Sequence, residues 1–234
     1  MLDTNFWKKY FRDYDVLNVL IPYQELKNEI IKNLGVQSGE KILDLGSGTG
    51  NIAVEVKKLG TEVIGIDFSV EGVKRHKEKD PDAEVLVGDI SQKLPFQDSA
   101  FDKVYSNNVI YTIDPSKRPS IFDEVYRVLK PGGKIVVSNI TKDFKPFGIY
   151  KDHLKKQAGR EGLAKTLLLV IKLAPATLRM FYYNFLIKKE NKGGAYSFFV
   201  AGEQKNLLEK SGFKNASDDI YTYNNQAILN KGTK

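Results

Sequence analysis

Residues 41–50 have the sequence Lys-Ile-Leu-Asp-Leu-Gly-Ser-Gly-Thr-Gly, in which a short apolar run leads directly into a turn with three glycines. The apolar run predicts a buried β-strand, and the glycines allow the backbone to turn sharply and to approach a ligand closely. A helix is predicted next, over residues 51–59, so its unpaired N–H groups and the positive end of its dipole would face the turn. This junction of strand and helix is therefore a candidate ligand site.

The spacing of the glycines separates two kinds of ligand. A dinucleotide-binding turn has the pattern G-x-G-x-x-G, which from Gly46 would need glycine at position 51, where Asn51 stands. The pattern here is G-x-G-x-G, and Asp44 lies at the entry to the turn. A carboxylate would repel a pyrophosphate at close range but would attract a ligand that carries ammonium and sulfonium groups. A tight turn that binds no ligand is the alternative interpretation.

Short β-branched runs alternate with helical runs along the middle of the chain. Strands are predicted at residues 41–45, 62–67, 84–87, 101–105 and 134–140, and helices at residues 51–59, 70–79 and 117–129. A helix at 202–211, strands at 220–223 and 226–229, and a frayed end at 232–234 are predicted to follow. This alternation predicts an α/β fold with a parallel sheet and helices on both faces.

Asp44, Gly46, Gly48 and Gly50 match the first motif of the class I S-adenosylmethionine-dependent methyltransferases, and the chain resembles that family over residues 35–141. The resemblance implies a Rossmann-like, seven-stranded, mostly parallel sheet with an antiparallel last strand. It also implies S-adenosyl-L-methionine as the cofactor, with S-adenosyl-L-homocysteine as the product. Residues 142–199 show no strand pattern, so they would form a helical insertion between the fifth and sixth strands.

The same resemblance implies roles for acidic residues at the ends of two further strands. Asp67 would bind the ribose hydroxyls of the donor, although Asp67 or Ser69 could instead cap the next helix. Asp89 would accept a hydrogen bond from the adenine amino group, with the Ile90 N–H near the ring, although Asp89 could instead cap a loop turn. The donor-binding set implied in this way is Asp44, Gly46, Ser47, Gly48, Gly50, Asp67, Phe68, Asp89, Ile90, Asn107 and Tyr14.

Two other segments should complete the donor site. Ligands of open α/β sheets lie beyond the carboxyl ends of the strands, which places Asn107 and Asn108 near the transferable methyl group. The sequence Tyr-Asp-Val-Leu-Asn at residues 14–18 resembles the opening of the ubiquinone and menaquinone biosynthesis methyltransferases. In that group the segment folds over the donor, so the resemblance implies that Tyr10 and Tyr14 line the site.

The composition excludes several classes of chemistry. The 234 residues include no cysteine, which rules out disulfides, thiolate metal sites and cysteine nucleophiles. The sequence has two histidines, which argues against a histidine-rich metal site. Residues 1–10 lack the apolar core of a signal peptide. Charged residues interrupt the longest apolar stretch, residues 163–187, so no membrane span is predicted. The sequence therefore predicts a cytoplasmic protein with no metal site.

Positive charge is concentrated in one segment. The chain carries a net charge of +7, whereas residues 142–192 alone hold ten lysines and two arginines against four acidic residues. Apolar side chains recur there at helical spacing between the basic ones. The helices could simply pack on the domain, or they could roof an apolar pocket with a basic face that meets anionic lipid or substrate.

These observations predict one domain with four parts. Residues 1–40 would be an N-terminal helical cap, 41–141 the donor-binding core, 142–199 a helical substrate lid, and 200–234 a C-terminal helix and strand pair. The predicted function is methyl transfer to a small apolar or amphiphilic acceptor such as a quinone, an isoprenoid or a lipid-like molecule. Peripheral membrane contact through residues 150–190 is a further expectation, nucleic acid is not an expected partner, and the oligomeric state is left open.

Two other functions fit the sequence. The basic insertion could bind RNA or a protein, which would then be the methyl acceptor. A binding module that keeps the fold without catalysis is the third interpretation. The Asp/Asn-Pro-Pro-aromatic motif typical of exocyclic-amine DNA methyltransferases is absent after the fourth strand, and the cytosine-C5 class would need a cysteine.

Methyl transfer from a sulfonium places few demands on catalytic side chains. The reaction is an in-line displacement with a good leaving group, so the protein mainly supplies position and a dry site. A base is needed only where the acceptor must lose a proton. The candidates are His153, which titrates near neutrality, and Tyr111, which follows the fourth strand. His153 could alternatively be a surface residue of the insertion.

Overall fold

The computed structural model describes residues 4–192 and 197–234, and a single sheet organises them. Its strands are β1 (Lys41–Leu45), β2 (Glu62–Asp67), β3 (Glu84–Val87), β4 (Phe101–Asn107), β5 (Leu129–Ile140), β6 (Ile220–Thr222) and β7 (Ala227–Thr233). The order across the sheet is β3-β2-β1-β4-β5-β7-β6, with β7 antiparallel to both neighbours and the remaining pairs parallel. The predicted Rossmann-like sheet with its antiparallel last strand is confirmed.

Helices surround the sheet. Those in the described residues are α1 (Thr4–Tyr14), α2 (Ile21–Leu34), α3 (Ala53–Lys57), α4 (Val70–Lys79), α5 (Arg118–Val128), α6 (Pro146–Glu161), α7 (Leu163–Lys192) and α8 (Glu203–Lys210). A 3-10 turn, Asp15–Val19, joins α1 to α2. Leu26, Ile30 and Leu34 recur at four-residue spacing on α2 and are fully buried, so this face packs into the core. Helix α2 ends at Leu34 and is followed by Gly35, whose φ of 62° is left-handed.

The C-terminal half of the sheet corrects two predictions. Strand β5 begins at Leu129, five residues before the predicted start, because a register shift opposite Phe101 and Lys103 absorbs the turn around Gly132. The predicted frayed end is wrong, since β7 runs to Thr233 and Lys234 is held in place. The Lys234 N–H donates to the Gly133 carbonyl at 2.9 Å, and the Gly132 N–H donates to the Lys234 carbonyl at 3.0 Å.

The helical insertion lies between β5 and β6, as the resemblance implied. It consists of α6 and the 30-residue α7, which continues through Pro175, and residues 193–196 fall outside the described part of the chain. Helix α7 packs on α1, where the Tyr183 ring lies 5.7 Å from Phe6 and 6.0 Å from Tyr10 between centroids. No helix in the described residues is long and apolar enough to cross a membrane.

Candidate functional site

A cleft of about 650 Å³ lies at the carboxyl ends of the central strands. Its floor comes from the glycine turn after β1 and the end of β2, and one wall comes from the residues that follow β4. The opposite wall is aromatic and belongs to α1 and the start of α2. The structure thus places the cleft at the switch point between β1 and β4, where open α/β sheets bind ligands.

The glycine turn is tightly packed by neighbours from other elements. Gly46 has a φ of 82°, and a Cβ there would lie 2.4 Å from Val109 Cγ2. Gly48 has a φ of 51°, and its Cβ would lie 3.1 Å from Phe11 Cε1. Ser47, between them, lines the cleft with a buried hydroxyl that finds no hydrogen-bond partner among the described residues.

Gly50 packs against a different element from Gly46 and Gly48. Its φ is 74°, and a Cβ there would lie 2.2 Å from His76 Cδ2 on α4. Gly50 is not among the residues that line the cleft. The structure therefore explains this glycine by the close approach of α4 to the turn, which differs from the cofactor-binding role implied by the motif.

Asp67 is held in place by backbone amides at the end of β2. Its Oδ2 accepts a hydrogen bond from the Gly48 N–H at 2.8 Å, and its Oδ1 accepts one from the Ser69 N–H at 2.8 Å. Ser69 Oγ accepts from the Gly72 N–H at 3.2 Å, so Ser69 is the residue that caps α4. Burial raises the pKa of Asp67 to about 6, even though the two amide bonds favour the carboxylate.

Asp44 shares the floor with Asp67. Only 4% of Asp44 is exposed, and burial raises the pKa of its carboxyl group to about 7; the nearby Asp67 charge adds to the rise, and the Tyr105 hydroxyl opposes it. Two carboxyl groups with raised pKa values in one cleft are an unfavourable arrangement until a cation enters. This arrangement fits a positively charged ligand, as the sequence predicted.

A second chamber of about 900 Å³ continues from the cleft past Gly46, Asp67 and Phe68. Gly88, Asp89 and Ile90, which follow β3, form its far side. Asp89 is exposed, and its Oδ1 accepts a hydrogen bond from the Ser91 N–H at 2.8 Å, so it caps the loop turn while it faces the chamber.

The end of β4 brings amide side chains to the cleft. The Asn107 and Asn108 side-chain oxygens are buried, and neither has a hydrogen-bond partner in the described part of the chain. Asn108 has a φ of 57°, and its N–H donates to the Ser138 carbonyl at 2.7 Å. Tyr111 lines the cleft just beyond them.

The aromatic wall was only partly predicted. Tyr10 and Tyr14 line the cleft as expected, and Trp7, Phe11 and Tyr23 line it as well. The positions 7, 10, 11 and 14 share one face of a helix, a pattern that could have indicated Trp7 and Phe11 from the sequence. Burial raises the pKa of Tyr10, Tyr14 and Tyr23, so all three hydroxyls stay protonated at neutral pH.

Lys79 links the segment next to the aromatic wall to the glycine turn through hydrogen bonds. Its Nζ donates to Asp15 Oδ1 at 2.6 Å, to the Thr49 carbonyl at 2.8 Å and to the Asn51 side-chain oxygen. Thr49 Oγ1 also donates to Asp15 Oδ1 at 2.8 Å. The segment that follows α1 is therefore tied to the turn by a network of charged and neutral hydrogen bonds.

His153 lies away from the cleft. It is 1% exposed, and its Nδ1 accepts a hydrogen bond from the Ile21 N–H at 3.3 Å, at the start of α2. Burial lowers the pKa of its imidazole, which favours the neutral ring that accepts this bond. The predicted roles of catalytic base and of surface residue are therefore both replaced by a buried helix contact, and Tyr111 is the catalytic candidate that lies at the site.

The geometry agrees with the comparisons to known proteins. Residues 43–137 match the methyltransferase domain family. The match covers less than half of the chain, and the chain is similar to known methyltransferases. The chain is 30% identical over 149 residues to a demethylmenaquinone methyltransferase of Paenarthrobacter aurescens, a match that covers 61% of this chain and 57% of that protein. The chain spans about half to three fifths of the length of the curated relatives it matches.

Solved structures of methyltransferases share the fold of this chain. A SAM-dependent methyltransferase from Aquifex aeolicus has a TM-score of 0.61 at 17% identity, covering 100% of this chain and 99% of that one. Phosphoethanolamine N-methyltransferase 2 of Haemonchus contortus, in complex with S-adenosyl-L-methionine, has a TM-score of 0.59 at 21% identity over 92% of this chain and 44% of that one. That structure holds S-adenosyl-L-methionine, and in the described part of this chain the buried carboxyl groups and the cleft oxygens without a hydrogen-bond partner would suit a cation of this kind.

Proposed function

We propose that this methyltransferase transfers a methyl group from S-adenosylmethionine to a small apolar or amphiphilic acceptor, such as a quinone, an isoprenoid or a lipid-like molecule. One observation carries the proposal: a cleft floored by two buried carboxyl groups meets a wall of protonated tyrosines, and an apolar pocket lies directly behind that wall. The carboxyl groups suit the cationic donor, and the pocket suits an acceptor with little polar surface.

Each part of the donor has a candidate partner. The proposal assigns the ribose hydroxyls to Asp67, the adenine end to Asp89 and Ile90, and the positively charged end to Asp44. Gly46, Gly48 and Ser47 would bring the backbone close to the donor, and Phe68 would cover the second chamber. Asn107 and Tyr14 would border the reacting groups. The bound donor supplies an electrophilic methyl group on its sulfonium.

The proposed acceptor pocket is a shallow one, with about 410 Å³ of empty space that is partly open to solvent. It is lined by the 3-10 turn, by α6 and α7, and by Tyr223, with Leu17, Ile149 and Met180 among its apolar residues. Tyr223 lies 6.1 Å from Tyr23 between ring centroids, and Tyr23 lines the donor cleft. In the proposed complex the apolar part of the acceptor fills this pocket, while tyrosine hydroxyls orient its reactive end and exclude water.

Relatives support a quinone as one acceptor of this kind. Several proteins that are 30–32% identical to the chain are demethylmenaquinone methyltransferases. A quinone with an isoprenoid tail combines a reactive ring with a long apolar chain, which suits a small pocket that opens to a larger apolar surface. A peripheral contact of residues 150–190 with a membrane belongs to the same proposal, since such an acceptor dissolves in lipid.

Calorimetry with S-adenosylmethionine and S-adenosylhomocysteine tests the donor half of the proposal. We expect both to bind, NAD not to bind, and Asp67→Ala to abolish binding, with the exposed Asp218→Ala as the matched control that binds normally. Methyl transfer to demethylated quinones with different tail lengths tests the acceptor half by mass spectrometry. Preference for NAD, or normal donor binding by Asp67→Ala, would contradict the proposal.

A further inference from the structure

Helix α7 is apolar on two faces. One face packs into the molecule through Met180, Tyr183 and Ile187, which are buried. A second face is exposed, with its large side chains between 59% and 68% accessible from position 167 to position 185. The exposed positions are separated by steps of three, four or seven, apart from the adjacent pair 167 and 168, so they lie on one side of the helix and form the α7 stripe: Leu167, Leu168, Ile171, Leu178, Tyr182 and Phe185.

Basic residues run along one edge of the α7 stripe. Lys165, Lys172 and Arg179 are spaced by seven residues, so they occupy the same side of the helix, and Lys189 lies near its C-terminal end. Arg179 is engaged by Asp13, whereas Lys165 and Lys172 are exposed. Residues 162–189 contain no aspartate or glutamate. The surface therefore combines exposed apolar side chains with positive charge alone.

The α7 stripe is continuous with the mouth of the acceptor pocket. Phe147 on α6 is 69% exposed, and together with Phe185 and Lys188 it lines a shallow depression of about 630 Å³. This depression shares Pro146, Phe181 and Asn184 with the acceptor pocket. An apolar molecule that enters between Phe147 and Phe185 would reach the acceptor pocket without crossing the basic edge of α7.

We propose that the α7 stripe docks on an anionic lipid bilayer and that the Phe147–Phe185 mouth takes the acceptor from that bilayer. The docking surface is argued from exposure and charge alone, while the entry route rests on the proposed function. Apolar side chains gain by entering the interface between headgroups and acyl chains, and flanking lysines gain from anionic headgroups. A second copy of the chain is a poorer occupant, because it would bring the same basic edge and no acidic residues to the seam.

Vesicle sedimentation of the full chain tests the docking surface without donor or acceptor. We expect binding to mixed phosphatidylcholine–phosphatidylglycerol vesicles and little binding to pure phosphatidylcholine. Lys165→Glu/Lys172→Glu should weaken binding by about tenfold or more, since each lysine near an anionic surface contributes substantially. Lys210→Glu/Lys214→Glu, a matched reversal of two exposed lysines elsewhere, should bind like the parent.

An apolar variant tests the stripe itself. Leu168→Ser/Leu178→Ser should lose vesicle binding while it keeps donor binding by calorimetry, and Leu59→Ser/Val87→Ser, at exposed positions elsewhere, should keep both. Vesicle binding equal to the parent in the stripe variant would overturn the proposal. If the parent forms a dimer that the stripe variant disrupts, and the parent does not bind vesicles, the stripe binds a second copy of the chain. If the parent binds RNA in a salt-sensitive way but does not bind vesicles, the stripe binds RNA. Either result overturns the proposal.

The two proposals fail separately. If the chain binds vesicles through α7 but not S-adenosylmethionine, the docking surface stands and the proposed function falls. If it binds the donor and methylates quinones in detergent, but ignores anionic vesicles, the proposed function stands and the docking surface falls. Faster turnover with a quinone in anionic vesicles than in neutral ones, lost in Leu168→Ser/Leu178→Ser, would support the entry route.

Discussion

Arg179 of α7 and Asp13 of α1 form a two-point ion pair. Arg179 Nε donates to Asp13 Oδ2 at 2.8 Å, and Arg179 Nη2 donates to Asp13 Oδ1 at 2.7 Å. The carboxylate is buried, although the guanidinium remains partly exposed. Because α1 supplies the aromatic wall of the cleft, this pair connects the insertion to the donor site through one helix.

The first prediction follows from that connection. Arg179→Gln should weaken S-adenosylmethionine binding, since among the described residues the buried Asp13 carboxylate would keep Arg12, at 3.8 Å, as its remaining ion-pair partner. Donor affinity by calorimetry and amide hydrogen exchange in α1 are the measurements, and exchange should become faster. Arg160→Gln, an exposed change on α6, is the control. Equal affinity and equal exchange in the two variants would show that the pair does not support the cleft.

The second prediction concerns the stability of the donor-free protein. Asp44 keeps its proton to about pH 7 when folded, against an ordinary pKa of 3.8. Between these values the folded state binds more protons than the unfolded state, so the free energy of unfolding falls as pH rises. Asp44→Asn removes this loss, so the variant should be more stable than the parent at pH 8, with the advantage shrinking toward pH 4. Calorimetric melting across this range measures it.

Donor binding should become stronger as pH rises, whereas the stability of the donor-free protein falls. A cationic donor favours ionised Asp44, so the parent's affinity should rise about tenfold between pH 6 and pH 8 as a group of pKa about 7 loses its proton. Asp44→Asn should bind more weakly and lose this part of the pH dependence. Asp102→Asn is a control of opposite sign for the stability of Asp44→Asn, because hydrogen bonds from Lys130 and the Lys41 amide hold the pKa of Asp102 low despite its burial. Asp102→Asn should be less stable than the parent at neutral pH, and this difference should disappear in acid.

Local sequence was sufficient for the donor half of the molecule. The strand at 41–45 and the glycine turn after it could be recognised from that segment alone, and the second strand ends at Asp67, as predicted. The carboxyl ends of parallel strands then meet at one edge by topology alone. For this reason the sequence could indicate Asp44, Asp67 and Asn107 together, although they are far apart along the chain.

Contacts between distant segments were beyond the same reasoning. The histidine at position 153 looks solvated within a lysine-rich helix, yet the start of α2, 132 residues earlier, buries it. The aromatic wall depends on how α1 crosses the cleft, which Lys79 and Arg179 determine through partners in other elements. Periodicity shows that a helix has an apolar face, but it does not show which element will cover that face.

The third prediction tests whether Gly50 is required by the close approach of His76. Gly50→Ala should lower the free energy of unfolding by about 1–3 kcal/mol more than Gly39→Ala, because overpacking against His76 adds to the cost of a left-handed residue. Gly39 has a φ of 85° and open space around it, so its substitution reports the backbone cost alone. In a His76→Ala background the difference between the two should largely vanish. An unchanged difference there would place the crowding elsewhere.

The fourth prediction distinguishes Tyr111 from His153 by kinetics. Tyr111→Phe should reduce kcat for a quinone acceptor, by about tenfold or more if its hydroxyl moves a proton and by less if it only orients the ring. Donor affinity should stay near the parent value, since the phenyl ring still fills the wall. His153→Gln should instead lower the melting temperature, because the Ile21 N–H loses its buried imidazole acceptor, and should leave the pH profile of kcat unchanged. A shifted pH profile in His153→Gln, with Tyr111→Phe fully active, would reverse the assignment.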